Sequence, residues 1–116
     1  MTDQATFQLE AVDEVPLVVV SGEIDVANVA QFKAFVQGAA AKTTGPLVVS
    51  LDGISYMDSH MLEALVDVAK RLRTNRRRLL VTAPRQSAAG HILRLTGIEL
   101  AIEVFESNEE AVQSLS

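Results

Sequence analysis

The chain has 116 residues, 48% of them hydrophobic and 22% charged, which predicts one globular domain over residues 1–116 with its core at about residues 5–115. Cysteine is absent, which excludes disulfides, thiolate metal sites and cysteine nucleophiles. No segment has the character of a signal peptide or a bilayer span, so we expect a cytoplasmic protein without membrane insertion. The formal net charge of −5 argues against non-specific binding of nucleic acid, and we expect no such partner.

The first predicted elements are a hairpin, a helix and a central strand. Residues 6–12 and 17–20 are rich in β-formers and flank a turn-prone segment, which predicts a hairpin whose second strand is buried. Asp25 is placed to cap a helix, because apolar residues recur at helical spacing in the stretch that follows. Residues 47–51 form a short apolar run that predicts a strand covered on both faces and ended by Asp52-Gly53.

Helices and strands continue to alternate in the second half of the chain. A second amphipathic helix is expected to begin at Ser59. Its core face is predicted to consist of Leu62, Leu65, Val66, Ala69 and Leu72. The remaining predicted elements are a strand at 79–83, a helix at 87–95 ended by Gly97, a strand at 102–105 and a terminal helix from a capping box at Ser107–Glu110 through Leu115.

This order of elements predicts the fold class. Parallel neighbouring strands need a crossover connection, and the helices between the predicted strands supply it. We therefore expect an α/β fold with a mostly parallel, mixed central sheet of about four or five strands and about four helices.

Few residues of the chain are suited to catalysis or metal binding. The two histidines, His60 and His91, lie in different predicted helices and lack the spacing of a zinc site. Asp58, Ser59 and His60 are adjacent in sequence, so they cannot line up as a catalytic triad. No phosphate-binding glycine loop occurs. We expect a protein that is not an enzyme and that uses no metal and no cofactor.

The most informative segment is the predicted strand-to-helix junction at residues 54–62. Partners of open α/β sheets usually bind at the C-terminal ends of the strands, and a helix N-terminus there favours an anion. Ser59 is placed at this point. Its position alone leaves two roles open, because Asp58 or Ser59 can equally serve as an N-cap that satisfies the first helical amides.

Several motifs together resemble the STAS domain of bacterial anti-sigma factor antagonists. They are Val-Ser-Gly-Glu-Ile-Asp at 20–25, the strand at 47–51, Met-Asp-Ser at 57–59, and the segment 93–100 with its Thr-Gly-Ile. Their order and spacing cover about residues 5–115. The resemblance implies an antagonist that binds an anti-sigma factor of the serine-kinase type and thereby releases a sigma factor. It also implies that this kinase phosphorylates Ser59 and that a serine phosphatase is a further partner.

The resemblance also points to partner-binding residues. Asp25 matches an acidic residue that lies near the acceptor loop in the family, with helix capping as its alternative role. Asp58 and His60 flank Ser59 on the expected kinase-facing surface. The exposed, partner-contacting side of the second helix is expected to carry Met61, Ala64 and Val68, for which a place in the peripheral core is the alternative.

The chain departs from the family pattern at His60-Met61, where Ser or Thr followed by Gly is usual. Met61 is expected to put a bulky thioether where a kinase would approach the backbone. This departure keeps a second function open, that of a STAS scaffold subunit in an ABC-type membrane transport or signalling complex without phosphorylation. The oligomeric state is also left open.

A basic cluster, defined as Lys70, Arg71, Arg73, Arg76, Arg77 and Arg78, holds six of the ten lysines and arginines. Cations suit a helix C-terminus, which favours a solvated helix end that leads into a turn. An acidic partner surface is the alternative. A nucleic-acid site ranks last, because the cluster lacks interleaved aromatic residues for base stacking.

Overall fold

The structure is a computed structural model that describes residues 5–116, so residues 1–4 of the predicted domain lie outside the described part. Within it the strands are β1 (Thr6–Val12), β2 (Val15–Ile24), β3 (Leu47–Met57), β4 (Leu79–Thr82) and β5 (Glu103–Phe105). The helices are α1 (Val29–Ala41), α2 (Ser59–Thr74), α3 (Ala88–Leu95) and α4 (Asn108–Gln113), with a 3-10 turn at Ile98–Leu100. The predicted α/β fold is confirmed.

The five strands form one mixed sheet in the order β1-β2-β3-β4-β5. β1 and β2 are antiparallel, and every later pair is parallel, as expected for strands joined by crossover helices. The hairpin turn is tighter than the sequence suggested, because only Asp13 and Glu14 form it, with φ of 50° and 68°. Two residues with positive φ match the twist of a hairpin. Val15 and Pro16 therefore already belong to β2.

β3 is longer than predicted. It continues past Asp52-Gly53 to Met57 and stays paired with β2, whereas β4 pairs only with Leu47 to Ser50. A Cβ at Gly53 would lie 2.8 Å from the Cβ of Ser21 on β2. Glycine is needed here because the two strands approach closely, so it marks an irregularity within β3 and does not end the strand.

The two faces of the sheet are covered unequally. One face packs against α1, α2 and α3 in a large core, to which the helices contribute the buried Phe32, Val36, Leu65 and Leu93. A smaller cluster on the other face includes Ala111 of α4. The crossover helices therefore lie mainly on one face of the sheet. Helix α2 connects the C-terminal end of β3 to the start of β4.

Serine caps begin α3 and α4, and of these only the cap at Ser107 was predicted. The Ser87 hydroxyl accepts the N–H of Gly90 at 3.0 Å, and the Ser107 hydroxyl accepts the N–H of Glu110 at 3.1 Å. Gly97 follows α3 with φ of 73°, as expected for a helix terminator. The capping box is incomplete, because the Glu110 carboxylate accepts the N–H of Glu106 at 3.1 Å and not that of the capping serine.

Candidate functional site

The candidate site lies where β2 and β3 end together. Ile24 and Met57 are paired in the parallel register, and Asp25 and Asp58 follow them directly. This ribbon projects beyond the last residues that pair with β4. Two carboxylates are thereby brought to the C-terminal edge of the sheet, where open α/β folds usually bind their partners.

Asp25 shapes a turn but does not cap α1. Its Oδ1 accepts the N–H of Ala27 at 2.9 Å, and its carbonyl oxygen accepts the N–H of Val29 at 2.9 Å. Asn28 occupies the cap position, where it makes no side-chain cap bond, and its amide nitrogen donates to the Glu23 carbonyl at 2.8 Å. The predicted capping role was therefore wrong, since three turn residues separate Asp25 from the helix. The Asp25 carboxylate thus accepts a hydrogen bond within its own turn, which follows the residue of β2 paired with Met57 at the end of β3.

Asp58 is the N-cap of α2, and Ser59 is its first residue. The Asp58 Oδ1 accepts the backbone N–H of His60 at 3.0 Å and lies 3.3 Å from the His60 Nδ1. The capping role left open by the sequence thus belongs to Asp58. The Ser59 side chain is exposed, and its hydroxyl has no hydrogen-bond partner within residues 5–116. It differs in this respect from Ser87, whose hydroxyl is occupied by helix capping.

The exposure predicted for part of α2 was wrong. Met61, Ala64 and Val68 are buried, with 0%, 2% and 3% of their surface exposed. Apolar residues cover a broad arc of α2, and those at the centre of this arc pack into the core. Its edge, Leu62 and Val66, is left half-buried although both were predicted to lie in the core. The sequence pattern alone did not show which side of the arc would face the sheet.

An apolar groove runs along the exposed side of α2 from the Ser59 end. Leu62 and Val66 form one wall, and Thr96 and Ile98 of the segment after α3 form the other, around a volume of about 390 Å³. Sequence reasoning missed this groove. The helical spacing of Ser59, Leu62 and Val66 was the signal that places all three on one side.

Two further exposed apolar residues flank the acidic edge. Val26 follows Asp25 and is 67% exposed, while Tyr56 precedes Met57 and is 48% exposed. Sequence reasoning did not select either one. Isolated apolar residues on a surface are common, but these two lie at the same end of the sheet as Ser59.

A metal site in residues 5–116 would need a cluster of ligating side chains, and a membrane span would need a long apolar helix. No group of three or more acidic or histidine side chains is arranged to hold a metal ion there. His60 and His91 lie in α2 and α3, as the sequence predicted. None of the helices in this part of the chain combines the length and the apolar character needed to cross a bilayer.

The comparisons with known proteins agree with this architecture. The family model of the STAS domain matches residues 6–111. The chain belongs to the STAS family. Among solved structures, an anti-sigma factor antagonist from Mycobacterium paratuberculosis is 23% identical, with 96% of this chain and 93% of that one covered and a TM-score of 0.84.

Two structures of SpoIIAA have the same fold. The anti-sigma factor antagonist SpoIIAA in its unphosphorylated form is 20% identical, with 95% and 96% of the two chains covered and a TM-score of 0.71. The phosphorylated form of the Bacillus cell fate determinant SpoIIAA is 21% identical, with 96% and 100% covered and a TM-score of 0.66. The STAS fold expected from the sequence is therefore confirmed.

Proposed function

We propose that this chain is an anti-sigma factor antagonist whose binding to its partner is switched off by phosphorylation of Ser59. The observation that carries the proposal is the free, exposed Ser59 hydroxyl at the start of α2, beside an aspartate that already caps the helix. Membership of the STAS family supports it, as does the likeness to antagonists that include a phosphorylated form. Nothing in these comparisons favours the transport-scaffold alternative.

The proposed partner is an anti-sigma factor that is itself a serine kinase. By binding this kinase the chain would release a sigma factor for transcription, and a serine phosphatase would restore the active form. A phosphoserine at the first position of a helix meets the positive end of the helix dipole, so the fold can carry the modification without unfolding. Ser59 is suited to this role, because its hydroxyl is not needed to hold the helix together.

The acidic surroundings of Ser59 explain how a phosphate would release the partner. Phosphorylation adds a charge of about −1.5 to −2 near Asp58 and Asp25. When a partner covers these groups, each like-charge pair at about 6 Å costs roughly 3 kcal/mol with an effective dielectric near 20. This corresponds to about a hundredfold loss of affinity. The favourable dipole interaction is present in the free and bound states alike, so it does not offset the loss.

We propose that the departure at His60-Met61 leaves Ser59 accessible to a kinase. The Met61 side chain is fully buried beneath the first turn of α2, so its thioether does not occupy the approach to the hydroxyl. The predicted surface position of the thioether was therefore wrong. His60 is the residue that changes the surface, since its imidazole is exposed and lies 3.3 Å from the Asp58 carboxylate. We propose that Asp25, Asp58 and His60 form the partner-facing rim around Ser59.

The proposed contact surface extends from Ser59 into the groove beside α2. Leu62, Val66 and Ile98 offer apolar surface next to the phosphorylation site, with Glu63 and Asp67 along the groove. Apolar contacts surrounded by polar groups are typical of protein interfaces. In the proposed contact surface these groove residues take the place of Met61, Ala64 and Val68, which are buried in the core.

The test is to capture the partner from the native cell and to measure its affinity for matched variants. Tagged wild-type chain is used as bait, and peptide mass spectrometry identifies the captured protein and any phosphate on Ser59. The purified partner is then titrated by calorimetry with wild type, Ser59→Ala and Ser59→Asp. We expect a kinase-like anti-sigma factor, at least tenfold weaker binding by Ser59→Asp, and binding by Ser59→Ala that ATP does not abolish.

Thr44→Asp is the control for net charge. Thr44 is exposed in the link between α1 and β3, at the opposite end of the sheet, so this variant should bind as the wild type does. Equal affinity of Ser59→Ala and Ser59→Asp would contradict the switch. Capture of a transport ATPase together with an unmodified Ser59 would contradict the antagonist function itself.

A further inference from the structure

We propose that the C-terminal end of α2 is a second docking surface, which binds an acidic segment of a partner protein carrying an apolar side chain. The surface is a groove between the ends of α1 and α2, with a volume of about 320 Å³. It does not depend on Ser59, which lies at the other end of the same helix. Arg71, which lines the groove, lies 12 residues after Ser59 along α2, a rise of about 18 Å along the helix axis.

The groove combines an apolar floor with a basic rim. Val36, Val68 and Leu72 supply its buried floor. Its rim carries the cations of Arg71 and Arg77, and none of the residues that line it is acidic. A carboxylate at the rim and an apolar side chain on the floor would each find a complementary group.

Arg77 builds the wall of this groove. Its Nε donates to the Gly45 carbonyl at 2.7 Å, and its two terminal nitrogens donate to the Ala40 carbonyl at 2.8 Å and the Thr43 hydroxyl at 2.9 Å. These bonds satisfy acceptors at the end of α1 and hold the guanidinium in place. Arg77 is therefore structural, and the charge left for a ligand is that of Arg71.

Other cations of the basic cluster lie at the same helix end without acidic partners among the described residues. Within residues 5–116 no ion pair involves Lys70, Arg71, Arg73 or Arg76, whereas Arg78 pairs with Glu103. This patch of unpaired positive charge belongs to a chain whose net charge is −5. A neighbouring cleft at the same helix end is lined by Arg73 but also by Glu99 and Glu103, so it is less suited to an anion.

The backbone at Arg76 shows that a positive charge stands at this helix end where glycine would fit better. Arg77 N–H donates to the Leu72 carbonyl and Arg76 N–H to the Arg73 carbonyl, so α2 ends in a Schellman motif. Arg76 occupies its left-handed position with φ of 61°, a conformation that glycine adopts without strain. An arginine at a position that favours glycine places a positive charge there at the cost of backbone strain.

The groove suits a peptide better than a nucleic acid. Its apolar floor fits a side chain, and the residues that line it include no aromatic ring on which a base could stack. The net negative charge of the chain also repels a long polyanion. An acidic protein segment would pair its carboxylates with the local positive charge and pack an apolar side chain against the floor of the groove.

The test is a titration of the isotope-labelled chain, followed by NMR amide shifts. The probe is the capped peptide Glu-Glu-Leu-Glu-Glu, with Gln-Gln-Leu-Gln-Gln and oligothymidine as comparisons. We expect the acidic peptide to shift the amides of Ala40, Arg71 and Leu72 and to leave Ser59 unchanged. Arg71→Glu should weaken binding at least tenfold, and Ala41→Trp, which fills the groove without changing charge, should do the same.

Arg73→Glu is the matched control, because it changes the same charge on the same helix end but lines the neighbouring cleft. It should weaken binding no more than about threefold, because it changes only the long-range electrostatic attraction between the chain and the peptide. Equal loss in Arg71→Glu and Arg73→Glu, or no loss in Ala41→Trp, would show mere charge attraction and overturn the proposal. Tighter binding of oligothymidine, or no shift with millimolar acidic peptide, would overturn it as well.

Discussion

The Asp58 carboxylate accepts the backbone N–H of His60 at 3.0 Å and so spans Ser59, which lies between them in the chain. This contact separates two roles that the sequence left undivided. Asp58 satisfies the helix, and Ser59 is left with a hydroxyl that no group in the described part of the chain engages. A modifiable serine and its structural support are thus adjacent but independent.

The first prediction concerns that division of roles. Asp58→Ala should lower the free energy of unfolding by about 1 kcal/mol, because it removes the N-cap of α2, whereas Asp58→Asn should retain most of it. Ser59→Ala should change it by less than about 0.5 kcal/mol, since no bond is lost. Urea unfolding followed by circular dichroism measures all three. A loss at Ser59→Ala as large as that at Asp58→Ala would show that the serine is the cap.

The second prediction concerns Met61, which stands where the family pattern has glycine. Met61→Gly should restore the motif but destabilise the chain by about 2–5 kcal/mol, because it empties a fully buried site in the core. Met61→Leu, which keeps the volume, should cost less than about 1.5 kcal/mol. Thermal unfolding compares the two. If Met61→Gly left stability unchanged, the burial of this side chain in the first turn of α2 would be wrong.

The sequence predicted those features of the fold that depend on local chemistry. The start of α2 at Ser59 and the serine cap of α4 are local signals, and both are confirmed. The end of β3 was mispredicted, since the role of Gly53 depends on its neighbour Ser21, more than thirty residues earlier in the chain. Contacts of this kind are set by pairing between strands and leave no local pattern.

The candidate site was predictable in part, for the same reason. The junction that holds Ser59 follows from the order of elements, and the parallel pairing of β2 and β3 places Asp25 at the same edge. Which side of α2 faces solvent did not follow, because Met61 and Leu62 are both apolar and only packing against the sheet decides between them. The groove beside Leu62 therefore emerged from the structure alone.

The third prediction concerns the end of α2. Arg76→Gly should raise the free energy of unfolding by about 1 kcal/mol, because it relieves a left-handed arginine in the Schellman motif. Arg76→Ala keeps the Cβ and should not be stabilising. Urea unfolding of both variants checks this. If the two variants were equally stable, the backbone at this position would not be strained.

The fourth prediction concerns Glu106, which joins β5 to α4. Its carboxylate accepts the backbone N–H of Arg85 at 3.0 Å, and this bond, with smaller contributions from the charges of Arg94 and Arg85, holds its pKa below the usual glutamate value despite some opposing desolvation. A carboxylate whose pKa is lower in the folded state stabilises the fold above its unfolded pKa. That contribution is lost as the pH falls through the folded pKa.

Glu106→Gln should therefore be less stable than the wild type at neutral pH, and the difference should shrink as the pH falls below about 4.3, the ordinary glutamate pKa. Urea unfolding at a series of pH values measures it. Glu99→Gln removes the same charge from an exposed residue that forms no ion pair within residues 5–116, so its stability should differ little from that of the wild type at neutral pH. A Glu106→Gln difference that grew on acidification would contradict the lowered pKa, and with it the tie between the start of α3 and the end of β5.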